Sequence, residues 1–225
     1  MKILLVRHAQ SLGNVDPSVY ATMADHAIPL TPLGKEQALT VGSEIRRHLE
    51  LYVGGRSADY EYVRLWTSPY RRTRETADGI MARAGRWVSD RREHILLGEQ
   101  QFGLFDGVPD TELPTQFPRE YGHYRKLVDQ EGKFWARMPL GESRFDVAKR
   151  VHQAFGTFHR DAVFHGIETV IIVCHGVVLR AFVMMWCHLS PEWFETEPNP
   201  ANGAIRLLEN GADRGYLYEG FPRPR

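Results

Sequence analysis

Two hydrophobic runs in this chain each end in a histidine. Lys2-Ile3-Leu4-Leu5-Val6 leads into Arg7-His8-Ala9, and Thr169-Val170-Ile171-Ile172-Val173 leads into Cys174-His175-Gly176. A further segment, Thr67-Ser68-Pro69-Tyr70-Arg71-Arg72-Thr73-Arg74, places three arginines just behind a short apolar run. Arginines and histidines held together form a cationic pocket with a potential nucleophile inside it. That suits phosphoryl transfer, where charge sits on three equatorial oxygens and positioning with positive charge does most of the work. A neutral imidazole can attack phosphorus in line, and neighbouring cations disfavour its protonation. The leaving alcohol then needs a proton, so a carboxylic acid must reach the same place.

The elements that would position these groups are legible. Both histidine-ended runs are short, β-branched or leucine-rich, and closed by polar residues, as strands buried on both faces of a parallel sheet are. Ligands bind beyond the carboxyl ends of such strands. If the two strands are neighbours, His8 and His175 lie side by side at that edge, next to Arg7. Tyr62–Trp66 reads as another strand, with Ser68 as cap and Pro69 as first residue of a helix to about Arg83. Arg71, Arg72 and Arg74 then fall in the first turns, where the macrodipole disfavours cations. An anion bound there makes sense of them, with at least one of the three facing solvent.

Elsewhere, a polar loop is expected from His8 to about Leu30. A helix capped by Thr31, with Pro32 first, carries Ala38, Val41, Ile45 and Leu49 and ends at Gly54-Gly55. Residues 98–141 read as loop-rich. Ser143 and Asp146 stand in capping-box relation. Phe145, Ala148, Val151, Phe155, Phe158 and Ala162 make a helical core stripe. A helix from about Val177 to His188 follows the second histidine. Ala204–Leu208 and Tyr216–Glu219, separated by Asn210-Gly211, read as an edge hairpin. Strands alternating with helices predict an α/β three-layer sandwich, its mainly parallel sheet covered on both faces.

Composition sets the bounds. The 225 residues include 43% hydrophobic and 25% charged, with 28 basic and 28 acidic side chains. That fits one soluble domain over 1–225 and offers no basic excess for nucleic acid. Cys174 and Cys187 are the only cysteines, too few for a disulfide framework. No apolar leader and no membrane-length run is seen, so a cytoplasmic protein that binds neither nucleic acid nor membrane is expected. No His-Glu-x-x-His or cysteine–histidine cluster suggests a metal, and no cofactor is expected. The sequence does not name an oligomeric state.

Arg7-His8-Ala9-Gln10-Ser11-Leu12-Gly13-Asn14 resembles the signature of the histidine phosphatase superfamily, the phosphoglycerate mutase-like proteins. Leu30-Thr31-Pro32-Leu33-Gly34 with Gln37-Ala38, Thr67-Ser68-Pro69 with Arg72 and Thr76, Glu99 with Phe102-Gly103, Gly141-Glu142-Ser143 and Cys174-His175-Gly176 resemble later segments in order. The resemblance implies the phosphoglycerate mutase-like fold, with His8 as the nucleophile that becomes phosphohistidine. It implies that Arg7, Arg72 and His175 bind the phosphoryl group, with Asn14 and Gly176 in its phosphate-binding segments. Glu99 would donate the proton to the leaving group and later activate water. Gln10, Ser11 and Phe102 would touch substrate. Ala9 and Gln10 depart from the family's usual Gly and Glu.

The resemblance divides by what covers the pocket, here a lid of about residues 100–140. Between Phe102 and Leu140 lie five basic and six acidic residues, a net −1, and no Arg-Arg pair. Family mutases, which hold a bisphosphorylated acid, carry such a pair, and Val177 stands where they typically have Asn. The expectation is therefore a phosphatase acting on a small phosphorylated metabolite. The alternative is a 2,3-bisphosphoglycerate-dependent mutase, followed by an inactive phospho-ligand binding module.

Overall fold

Strand β1 (Lys2–Arg7) is buried along its whole length because it lies inside a six-stranded sheet of order β3-β2-β4-β1-β5-β6. The computed structural model describes residues 1–53 and 62–222. Strand β1 pairs in parallel with β4 (Thr169–Cys174), and β4 in parallel with β2 (Val63–Thr67). Strand β3 (Asp90–Glu93) extends the parallel part. On the other side β5 (Ile205–Glu209) is antiparallel to β1, and β6 (Ala212–Tyr218) returns from it. The hairpin turn is Asn210-Gly211, both at positive φ (54° and 76°), as a tight turn matching strand twist requires.

Alternation along the strands divides two cores. Leu4 and Val6 face helices α2 (Pro32–Val53) and α3 (Arg71–Ala84), meeting Val41, Ile45, Ala77 and Ile80. Ile3 and Leu5 face α6 (Arg144–His165) and α7 (Gly176–Trp186), meeting Val151, Phe158 and Phe182. Helices therefore cover both faces, as the alternation of elements predicts. Helices α2 and α3 approach so closely that a Cβ on Gly79 would sit 2.6 Å from the Ala38 Cβ. Glycine there lets α3 lie flat against α2, which fixes where its first turn points.

Local chemistry explains the ends. Gly34 N–H donates to Thr31 Oγ1 at 2.9 Å, so Thr31 caps α2 as expected. Ser143 and Asp146 form the full capping box of α6. In the α6 stripe Ala148, Val151, Phe155 and Phe158 are buried, while Phe145 is exposed and Ala162 only half-buried. The Gly54-Gly55 stop lies outside the described residues.

Several expectations are corrected. The stretch after His8 is not one loop: a short helix α1 (Leu12–Val15) and two 3₁₀ turns, Pro17–Ala21 and Asp25–Ala27, fold it back. Helix α3 starts at Arg71, with Tyr70 as N-cap, rather than at Pro69. The Ser68 hydroxyl is shared between His175, at 2.9 Å, and a longer 3.4 Å bond from the Tyr70 N–H. The expected loop over 98–141 contains α4 (Leu113–Gln116) and a 14-residue α5 (Pro118–Glu131). Pro118 opens α5, the position where proline starts a helix rather than breaking one. Helix α7 ends at Trp186, and α8 (Pro191–Thr196) follows it.

Several aromatic residues of this insertion form a small core of their own, Phe105, Leu113, Tyr124 and Ala136 with Phe117 and Tyr121 against them, while Phe134 joins the main core. Its two ends are fastened together, Leu104 N–H to the Pro139 carbonyl and Glu142 N–H to the Gln101 carbonyl. Among the described residues no helix is long and apolar enough to cross a membrane. A cavity of about 220 Å³ lies between α2 and the β1–β5 side, lined by Leu4, Ile45, His48 and Ile205. It contains none of the residues singled out by their chemistry.

Candidate active site

The carboxyl ends of β1, β4 and β2 share one edge because the three strands are parallel neighbours. His8 N–H donates to the Cys174 carbonyl at 3.0 Å, and Ser68 N–H to the Val173 carbonyl at 3.0 Å. These bonds bring His8, His175 and Ser68 side by side. The two imidazoles meet edge to face with centroids 5.3 Å apart.

His8 Nδ1 lies 2.7 Å from the Ala9 carbonyl oxygen. A carbonyl only accepts, so Nδ1 carries the proton and Nε2 keeps its lone pair. Burial, then the charges of Arg72 and Arg7, hold the ring's pKa well below its ordinary 6.5. The imidazole is therefore neutral at physiological pH and has an unprotonated Nε2.

His175 Nε2 lies 2.9 Å from Ser68 Oγ. The Ser68 hydroxyl also receives the Tyr70 N–H, at 3.4 Å. Ser68 can donate to Nε2 while it accepts from Tyr70, and the ring proton then sits on Nδ1. That Nδ1 is buried with no hydrogen-bond partner. An orphaned donor at a cationic edge is suited to an anionic oxygen. Burial first, then Arg72, His8, Arg150 and Arg7, keeps His175 well below 6.5. Helix α7 starts at the next residue, so its first amides face the same edge. A Cβ on Gly176 would sit 2.1 Å from Asn199 Oδ1, so only glycine fits there.

Of the three clustered arginines, Arg72 alone is buried, at 2% exposure. Arg71 pairs with Glu75 and Arg74 with Glu93 on the surface. Arg72 stacks over the Tyr70 ring, 4.9 Å from its centroid, and its Nη1 donates to Asp25 Oδ1 and to the Asp25 carbonyl, both at 2.7 Å. Arg7 is buried and donates to the Pro200 carbonyl.

Glu99 sits on the loop after Ile95–Leu97. Gln100 N–H donates to its Oε1 at 2.9 Å, and Gly98 packs against the Tyr70 ring. Burial raises its carboxyl pKa, opposed by that hydrogen bond and by Arg72 and Arg7. The same two arginines act on Glu99 and on His8, which puts both groups within reach of their charge.

Asn14, Ser11 and Gln10 lie in structural hydrogen bonds around this edge. Asn14 Oδ1 accepts from Ser11 N–H at 3.0 Å, Ser11 Oγ at 3.1 Å and Asn202 Nδ2 at 2.9 Å. Gln10 Oε1 accepts from Thr31 Oγ1 at 2.8 Å. Phe102, half-buried, opens the 3₁₀ turn Gly103–Phe105.

Three participants, Asn202, Asp25 and Arg150, were not singled out by the sequence, and Ser68 stood out there as a cap beside the arginines. Asn202 donates to the His8 carbonyl at 3.1 Å and joins it to Asn14. Ser68 orients His175, Asp25 holds Arg72, and Arg150 holds the Glu99 loop. Arg150 donates to both carboxylate oxygens of Glu142, to the Leu96 carbonyl and to the Glu99 carbonyl. Only Ser68 carried a signal, since it ends a strand beside the arginines. The others act across separations of 47 to 194 residues, which no local pattern encodes. Among the described residues no group of three or more His, Cys, Asp or Glu is placed to hold a metal ion.

Residues 3–219 match the sequence pattern of the Histidine phosphatase superfamily (branch 1). The chain is 35% identical over 227 residues to the phosphoglycerate mutase-like protein AT74 of Arabidopsis thaliana, covering 96% of this chain and 66% of that one. It is 25% identical to the broad-range acid phosphatase DET1 of Saccharomyces cerevisiae, covering 92% and 84%. In fold it is similar to the alpha-ribazole phosphatase from Shigella flexneri, with a TM-score of 0.69 over 100% of both chains at 18% identity.

Proposed function

The chain belongs to the histidine phosphatase superfamily, and from that premise we propose that it hydrolyses a small phosphomonoester through a phosphohistidine on His8. The observation that carries this is the pairing of two neutral imidazoles, 5.3 Å apart, under the charges of Arg7 and Arg72.

Arg7, Arg72, the His175 Nδ1–H and the first amides of α7 receive the phosphoryl oxygens. His8 Nε2 attacks phosphorus, the P–O ester bond breaks, and Glu99 gives its proton to the departing alkoxide. Glu99, now a carboxylate, then takes a proton from water. That water attacks the phosphohistidine, the N–P bond breaks, and Nε2 regains its lone pair. Asn202 holds the main chain at His8 and is itself held by Asn14; Gln10, Ser11 and Phe102 are proposed to line the substrate's approach.

The insertion of about residues 100–140 is proposed as a lid over this space, hinged where Gln101 meets Glu142. Two free cysteines, one fully buried, support a reducing, cytoplasmic setting. A phosphatase rather than a mutase is favoured because Arg150, the further arginine acting on His175, is committed to Glu142 and two carbonyls. The test is release of inorganic phosphate from a panel of sugar phosphates, phosphoglycerates, nucleotides and phosphopeptides, with and without 2,3-bisphosphoglycerate. Steady phosphate release without the bisphosphate supports the hydrolase. Isomerisation of phosphoglycerate that depends on the bisphosphate supports the mutase.

A further inference from the structure

The opening beside Arg72 is edged by acid. Asp25 is fixed on the guanidinium by two 2.7 Å bonds from Nη1, and the paired side chains are only 18% and 3% exposed. One end of Arg72 is thereby occupied, and its other edge remains for phosphoryl oxygens. A carboxylate is thus held one guanidinium away from the transferred group.

Other segments converge on the same place. Tyr20 lies against Gly13 and Gly107, whose Cβ positions would fall 2.7 and 2.6 Å from it, so it links the loop after β1 to the insertion. Tyr70 stacks on Arg72. Tyr20, Tyr70, Glu99 and Asp106 each have pKa values raised by burial first and by the Asp25 charge in addition. Arg72 opposes Asp25 at each of them, so the four groups lie around the Asp25–Arg72 pair. Arg150, the further arginine acting on Tyr70, is engaged elsewhere, with Glu142. A second anionic group on a substrate would meet Asp25 there. A hydroxyl or an amine would meet a carboxylate able to accept its hydrogen bonds.

We propose that Asp25 sets the charge class of the substrate: the site takes phosphate esters of neutral or cationic alcohols, polyols among them, and turns away esters with a second anionic group next to the phosphate. This rests on the phosphatase reading above. Its test is competition against p-nitrophenyl phosphate hydrolysis by glycerol 3-phosphate and 3-phosphoglycerate, which differ by a CH₂OH in place of a carboxylate. The wild-type Ki for glycerol 3-phosphate should be at least about tenfold lower, equivalent to about 1.4 kcal/mol. Raising the salt concentration should narrow that ratio, since screening weakens a charge effect. Asp25→Asn should shrink the ratio to about threefold or less, and Asp25→Glu should keep it. Equal or tighter binding of 3-phosphoglycerate to the wild type overturns the inference. So does a ratio unchanged by salt, which decides the matter even where the Asp25→Asn variant fails to fold. If p-nitrophenyl phosphate is not hydrolysed at all, the phosphatase reading falls and the inference with it. A normal rate with an even Ki ratio sinks the inference alone.

Discussion

Ser68 Oγ and His175 Nε2 stand 2.9 Å apart, at the ends of two adjacent parallel strands. The contact fixes the imidazole, whose other nitrogen, Nδ1, is buried without a hydrogen-bond partner. Ser68→Ala removes the donor that sets this tautomer. A hydrogen bond of this kind is worth about 1–1.5 kcal/mol, so kcat/KM should fall about tenfold. Thermal stability should change little, because Thr73 Oγ1 continues to bond the Ser68 carbonyl. Steady-state kinetics alongside a melting curve checks both parts; an unchanged kcat/KM would remove Ser68 from the orienting role.

Arg72→Lys keeps the charge but loses the planar fork and the stacking on Tyr70. Loss of such a donor typically costs about 10²–10³ in rate. Because arginines supply the charge in this account, activity should persist in EDTA. Complete loss in chelator, restored by a divalent metal, would contradict the clamp.

The two buried histidines make a pH prediction with a defined sign. Their folded pKa values lie well below the ordinary 6.5, from burial first and then the arginines. The unfolded chain therefore binds more protons as pH drops through about 6.5. Stability should fall with it, continuing down to the folded pKa values. Unfolding midpoints from pH 7.5 to 5 should drop less in His8→Gln than in the wild type. Parallel curves would mean that His8 is not held neutral by the fold.

Glu99 should control the alkaline limb. Its carboxyl is raised by burial, so it holds a proton at lower pH and loses it as pH climbs. Glu99→Gln should slow phosphohistidine formation strongly with alkyl phosphates and much less with p-nitrophenyl phosphate, whose leaving group hardly needs a proton. Arg150→Ala, which frees the Glu99 loop, should show the same leaving-group dependence in milder form. Equal losses on both substrate types would take Glu99 out of the acid role and turn attention to Asp106 and Glu142.

Much of this was readable in the sequence because its signals are local. The β1 and β4 runs, the Thr31 and Ser143 caps and the Asn210-Gly211 turn each depend on residues within a few positions. The buried Arg72 showed as a cation where a helix dipole disfavours one. What the sequence hid was contact over distance or competition between uses. Ser68 looked like a cap, but its shorter contact is with His175, and α3 starts two residues later, at Arg71. Helix α5 was masked because Pro118 reads as a breaker unless it is known to stand first. Asp25 and Asn202 are ordinary until folding sets them on Arg72 and His8.

The most direct test of the central claim is rapid-quench trapping with a ³²P-labelled phosphomonoester, followed by acid and base treatment and peptide mapping. Acid-labile, base-stable label is expected on the peptide containing His8, and none in a folded His8→Ala variant that also lacks turnover. Label on a serine, or turnover retained in His8→Ala, would contradict it.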